Sequence, residues 1–303
     1  MRLVGYSLIL VGLLLTSAHA EGDGLVDMLG PREVAVGEAM RGGATGSSAI
    51  GLNPAGLPLT RELVFEGGYG YRLSDTASLV GISACDSTNA APGCFFYQYA
   101  GSNPELGGMT LSRRTHVAGG SFAYPATPRI LLGSTVKYFS FKSEVMDEPK
   151  ASGFTFDLGT TIRVTDVISL GVAGYNLWGE DSSEFARAVG GGLYARPIPN
   201  LALSFDARWK LEGDDHSARY GGGAELFLRS SSGQTGFPLR IGALRDNGLD
   251  STYLSGGIGV AGMKFGLDLA ARHAVTGSDE TVLMASMRFF GPRLGAGQTS
   301  PDE

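Results

Sequence analysis

The chain lacks any segment that could cross a membrane as a helix. The apolar stretch at 3–15 is too short, and nothing after it approaches the roughly 18 uninterrupted apolar residues such a span needs, so a helical membrane protein is excluded. Charge is scarce as well. Asp, Glu, Lys and Arg make up 18% of the residues and the net charge is -6, which leaves no basic footprint for nucleic acid. The four histidines, His19, His116, His216 and His273, show no paired spacing for a metal, and no cofactor is expected. Only two cysteines are present, Cys85 and Cys94. In an exported chain they would clip one hairpin, worth about 2–3 kcal/mol by loop entropy, with two free thiols as the alternative.

Glycine, by contrast, is abundant: 47 of 303 residues, about double ordinary usage. Such a bias arises from low-complexity disorder or from many short strands joined by tight turns. The 15 Phe and 11 Tyr argue against disorder. Residues 1–20 have the parts of a secretory signal, with Arg2 as the basic region, the apolar stretch after it, and Ala18-His19-Ala20 before Glu21. The mature chain is expected to leave the cytoplasm.

From residue 61 onward, alternation with a period of two recurs. At 200–210, Leu201, Leu203, Phe205, Ala207 and Trp209 share one face, and Ser204, Asp206, Arg208 and Lys210 the other. Segments 151–163 and 263–272 repeat the pattern. Candidate strands fall at 61–71, 76–85, 94–100, 114–124, 129–141, 151–163, 166–178, 184–196, 200–211, 217–229, 236–246, 250–261, 263–273 and 280–290. Many reach the roughly 9–11 residues that a tilted transmembrane strand requires. The fold class expected is all-β: a transmembrane antiparallel β-barrel of about fourteen strands.

Connections from 114 onward alternate between tight (125–128, 165–166, 197–199, 261–262) and looser, more charged (142–150, 179–183, 213–216, 275–279). Two connections depart, 230–235 being longer than its class and 247–248 shorter; the tight set marks the periplasmic rim of such a barrel. In that orientation Trp178, Trp209, Tyr220 and Tyr253 are expected at the outer rim and Tyr124 and Tyr194 at the inner one, as interfacial girdles.

The polar faces are rich in glycine, as at Gly119-Gly120, Gly190–Gly192, Gly221–Gly223 and Gly256-Gly257. Small residues there suit a wall with something packed close against it. A barrel of about fourteen strands is too wide to fill itself, because eight strands already suffice for that. The available filler is 21–60, above all 37–57, which reads GEAMRGGATGSSAIGLNPAGL and can build no core of its own. The expected organisation is therefore a signal at 1–20, a luminal plug at 21–60, a barrel at 61–290 and a periplasmic tail at 291–303. The inward charges, among them Glu66, Asp157, Asp206, Arg208, Glu225, Arg229, Arg240, Lys264, Asp268, Arg272 and Arg288, mix both signs, as expected of pairing between strands and plug.

Gly42-Gly43 within 37–44, followed by Asn53-Pro54-Ala55-Gly56-Leu57 just before the first strand, resembles the N-terminal hatch of the outer-membrane long-chain fatty-acid and aromatic-hydrocarbon transporters. The resemblance implies a glycine-rich hatch, ending in an Asn-Pro-Ala turn, inside a fourteen-stranded barrel of the Gram-negative outer membrane. It further implies passage of small hydrophobic compounds without chemistry, with Met40, Ile50, Leu52 and Leu57 as candidate ligand contacts. Similar hatches occur in barrel subunits of secretion machines, so the alternative is a non-transporting anchor whose partners are envelope proteins. The chain differs from the transporters in several features: it is shorter, its outer loops are short, the third-strand kink that opens a side exit is not legible in 94–100, and 291–303 extends past Phe289-Phe290, where such barrels commonly end on an aromatic. Enzymatic pairs of His116 with Ser112 or Ser121, or His273 with Ser286, carry no defining motif, and no catalytic residue is expected.

Overall fold

The computed structural model describes residues 30–106, 108–146, 150–179, 185–211, 217–231 and 234–291. The signal reading at 1–20, the start of the hatch at 21–29, His216 and the tail from 292 onward lie outside the described residues. Fourteen antiparallel strands close into one barrel. They are β1 (Leu63–Arg72), β2 (Ala77–Asp86), β3 (Gly93–Ser102), β6 (Arg113–Pro125), β7 (Ile130–Ser143), β8 (Ala151–Arg163), β9 (Ile168–Tyr175), β10 (Ala188–Ile198), β11 (Leu201–Lys210), β12 (Ala218–Arg229), β13 (Gly236–Asp246), β14 (Ser251–Ala261), β15 (Phe265–Thr276) and β16 (Thr281–Phe290). A small hairpin, β4 (Glu105–Leu106) with β5 (Met109–Thr110), stands in the outer loop after β3. β1 meets β16 from Val64 opposite Phe290 to Arg72 opposite Val282, so the wall has no free edge.

Each strand turns its apolar positions outward. On β15, Phe265, Leu267 and Leu269 are exposed while Gly266, Asp268 and Ala270 are buried. Phe65, Ile82, Phe95, Phe122, Phe154 and Ile241 are also exposed on the outside. Such a continuous belt is untenable in water and is the surface that acyl chains solvate. Trp178, Trp209, Tyr220 and Tyr124 lie exposed at the strand ends, as interfacial rings should. Tyr253 and Tyr194 do not join them. Tyr253 is only 3% exposed and faces the lumen under the Arg272 guanidinium, 4.6 Å from its ring centroid. Tyr194 turns inward against the hatch at Gly43. Most of the inward charges pair as expected, but Glu66 takes the Ser47 hydroxyl, Arg208 lies over the Tyr175 ring, and Arg229 and Lys264 sit exposed at the periplasmic turns.

Local chemistry sets the exceptions in register. Between β10 and β11 the register shifts between Ala195 and Ile198, where Pro197 has no N–H to give the ladder. β9 ends at Tyr175 because Asn176 takes a left-handed conformation (φ 53) and donates its N–H to Asp157 Oδ1 at 2.8 Å. The third barrel strand, β3, pairs with β2 and β6 without a register shift, so its ladders carry no break there.

The hatch fills the lumen with α1 (Pro31–Ala35), α2 (Ser47–Leu52) and a 3-10 turn (Pro54–Leu59). Part of the glycine-rich wall is where its backbone lies, at Gly133, Gly171, Gly221, Gly223 and Gly242, whereas Gly119, Gly120 and Gly192 meet only wall atoms. A Cβ added at Gly221 would stand 2.0 Å from the carbonyl oxygen of Gly37, and one at Gly133 would stand 2.3 Å from the Ala55 nitrogen. At Gly171 the distance to the Arg41 carbonyl oxygen would be 2.1 Å. Gly171→Val is therefore expected to unseat the hatch, at about 1–3 kcal/mol or more of overpacking, and to appear as current across a planar bilayer. Gly191→Val is the control, since the nearest atom to its added Cβ is 3.7 Å away. Equal, silent behaviour of the two variants would show that the glycine wall does not seat the hatch.

Candidate functional site

The hatch is tied to the wall largely through its main chain. Asp206 on β11 accepts from the backbone N–H groups of Met40 (2.9 Å) and Arg41 (2.8 Å), and pairs with the Arg41 guanidinium at 2.9 Å. Arg41 Nε donates to the Tyr175 hydroxyl at 2.6 Å, and that hydroxyl donates to the Leu52 carbonyl. The Tyr175 ring lies between the two guanidinium groups of Arg41 and Arg208, with centroid distances of 5.5 and 4.9 Å. Asn53 is fully buried. Its Nδ2 donates to the Arg41 carbonyl (2.9 Å), the Thr160 carbonyl (3.1 Å) and Thr161 Oγ1 (3.0 Å), while its Oδ1 accepts from Ala55 N at 3.2 Å. Pro54 packs beside it against Gly159, and Gly42 offers its carbonyl to Ser169 Oγ at 2.6 Å. The hatch-motif residues Gly42, Gly43, Asn53 and Pro54 thus all lie at the contact between hatch and wall.

Ion pairs complete the seat. Arg32 meets Glu225 (3.3 Å), which also binds Arg240 (2.6 Å). Arg240 reaches Asp268 (2.5 Å), and Asp268 holds Arg288 (2.6 Å). On the other side of α1, Glu38 pairs with Arg272 at 2.8 Å. Glu33, buried in α1, has its carboxyl pushed up by that burial, with the nearby Glu66 adding to the effect.

Of the candidate ligand contacts, Met40 is 3% exposed, Ile50 5%, Leu52 3% and Leu57 1%, all within one apolar cluster with Phe96, Val117, Phe139 and Phe185. Ile50 and Leu52 also line a cavity of about 50 Å³ on the outer side of the hatch. Ile50 and Phe96 line it together with a second cavity, of about 40 Å³, between the hatch and the wall at β1–β3 and β16. Met40 and Leu57 line neither. Phe96, Phe139 and Phe185 escaped the sequence reading, although Phe96 falls on the inward parity shared with Cys94. A disulfide joins Cys85 to Cys94 at the periplasmic end of the β2–β3 hairpin. His116 with Ser121, and His273 with Ser286, fall on opposite faces of the wall. His116 is exposed, with Nδ1 at 2.8 Å from the Tyr97 hydroxyl, whereas Ser121 is buried against Thr135. His273 is exposed and Ser286 buried.

A closed, antiparallel fourteen-stranded barrel with an apolar exterior and a hatch packed in its lumen is the architecture of the outer-membrane hydrophobic-compound channels. Among solved structures, the chain resembles the toluene transporter TodX of P. putida, with a TM-score of 0.62 at 12% identity over 89% of this chain and 97% of that one. A deltaS2S3 mutant of the TodX monoaromatic hydrocarbon channel gives 0.64 at 13% identity, over 86% and 98%. A FadL homologue of Pseudomonas aeruginosa gives 0.55 at 11% identity, over 87% and 96%. These likenesses are of fold. No family model matches the chain, and no curated protein matches its sequence.

Proposed function

We propose that the protein passes small hydrophobic compounds across the outer membrane by shifting its hatch, without chemistry on the cargo. The observation that carries this reading is the pair of small cavities divided by Ile50, Phe96 and Gln98. At about 40 and 50 Å³ each holds at most a few waters, whereas sites for drug-sized ligands measure roughly 300–1,000 Å³. A largely apolar divide, Ile50 and Phe96 with the amide of Gln98 beside them, thus separates two pockets that a modest movement of α2 would join. Ile50 and Leu52 are the first contacts for cargo. Met40 and Leu57 seat the hatch. The named cargoes of the structural neighbours, toluene and monoaromatic hydrocarbons, set the size class to try first.

Deletion of the gene should slow uptake of radiolabelled toluene or fatty acid several-fold, with recovery on re-expression. A second reading, a non-transporting anchor or docking subunit of a trans-envelope assembly, draws support from the many buried polar contacts that fix the hatch. Unchanged uptake, together with periplasmic proteins co-purifying in stoichiometric amount, would decide for the anchor.

A further inference from the structure

We propose that the periplasmic mouth of the barrel contains a binding site for a small organic carboxylate. The cavity between the hatch and the periplasmic ends of β8, β9 and β10 measures about 450 Å³, inside the roughly 300–1,000 Å³ range of small-molecule sites. Strand register builds its wall. Arg163 pairs opposite Ser169, and Ser169 opposite Tyr194, so the three form one row facing the lumen. Ser169 is already committed to the Gly42 carbonyl. The Arg163 guanidinium has no hydrogen-bond or ion-pair partner among the described residues. Arg196, two positions past Tyr194 on the same face, is exposed. It rests 5.9 Å from the Tyr194 ring centroid and donates to the Tyr194 hydroxyl at 3.0 Å.

The deeper guanidinium groups of Arg32 and Arg288 are occupied by Glu225 and Asp268. Two carboxylates also border the cavity. Glu62 accepts from Thr60 Oγ1 at 3.2 Å, and Asp166 lies exposed on the turn between β8 and β9. With Arg32 and Arg288 neutralised, Arg163 and Arg196 share the vestibule with Glu62 and Asp166, and Arg163 is uncommitted. A guanidinium fork held at a partly enclosed wall binds a carboxylate in bidentate fashion. Leu59, Val167 and the Tyr194 ring supply apolar surface beside it, which selects an anion with a small apolar body over a bare inorganic one. The site does not depend on transport, because a barrel that passes nothing can still hold the ligand at equilibrium. Failure of uptake and failure of binding are thus separate results.

The test is calorimetric titration of the detergent-purified full chain with benzoate, benzyl alcohol and inorganic phosphate. Benzoate should bind saturably at one site, and benzyl alcohol and phosphate about tenfold more weakly or worse. Arg163→Gln and Arg196→Gln should each weaken benzoate about tenfold, while Arg129→Gln on the neighbouring exposed turn leaves it unchanged. Circular dichroism and heat-modifiable migration confirm that each variant is folded. Non-saturable benzoate binding, equal affinity in folded Arg163→Gln, or phosphate binding as tightly as benzoate would overturn the site. Tighter capture of a synthetic peptide of residues 21–28, the chain's own acidic leader, would overturn it too.

Discussion

Asp206→Ala should turn a quiet barrel into a leaking one. Asp206 is 1% exposed and serves two hatch N–H groups and one guanidinium at once. Its removal leaves the Arg41 charge and both N–H groups in a dry interior, and breaking a buried pair from one side costs about 3–5 kcal/mol. The barrel ladders are untouched, so the loss falls on the hatch alone. Purified Asp206→Ala should keep the heat-modifiable migration of the folded barrel while showing frequent openings in planar bilayers. Asp206→Asn, which keeps an acceptor of the same shape but not the charge, should fall between it and the native protein. Silence from Asp206→Ala would mean that the glycine contacts alone hold the plug.

Deleting residues 21–57 should have the larger effect: a permanent ohmic conductance. A fourteen-stranded wall lies between the eight strands that fill themselves and the sixteen or so that enclose a water channel. Once emptied, the lumen keeps its wall-to-wall pairs, Arg240 with Glu225 and Asp268, Lys137 with Asp157, and Arg72 with Glu280. Among the described residues it loses Arg32, Glu33, Glu38 and Arg41, which leaves both signs on the wall. Selectivity between cations and anions should accordingly be weak, since strong selectivity needs a ring of one sign. Reversal potentials under a salt gradient measure it. Unchanged conductance after the deletion would show that something other than this segment closes the lumen.

The barrel was legible because lipid on one side and packed polar atoms on the other force the same alternation on every strand. At 200–211 the pattern gave β11 to within a residue at each end. Legibility failed where a residue suits either face. Tyrosine is amphipathic, so Tyr194 and Tyr253 could read as girdle or as lining, and their partners Gly43 and Arg272, distant in sequence or on the next strand, decided. The end of β9 at Tyr175 depended on Asp157, far away in sequence, capturing the Asn176 N–H. The glycine clusters announced close packing, but the hatch residues that Gly190, Gly221 and Gly223 meet, Arg41, Gly37 and Val36, follow only from the closed register. Asp206 stood among the inward charges with nothing to single it out, because its partners are largely backbone groups that carry no side-chain signature.

The distances along the chain between hatch and wall constrain biogenesis. Arg41 meets Tyr175 and Asp206, 134 and 165 residues later, and Ala35 and Glu38 meet Ser255 and Arg272, 220 and 234 residues later. Closing such loops gains nothing until the distant strand is in position. The segment synthesised early is therefore among the last to settle, and an assembling barrel must carry its stopper loose until the final hairpins have joined.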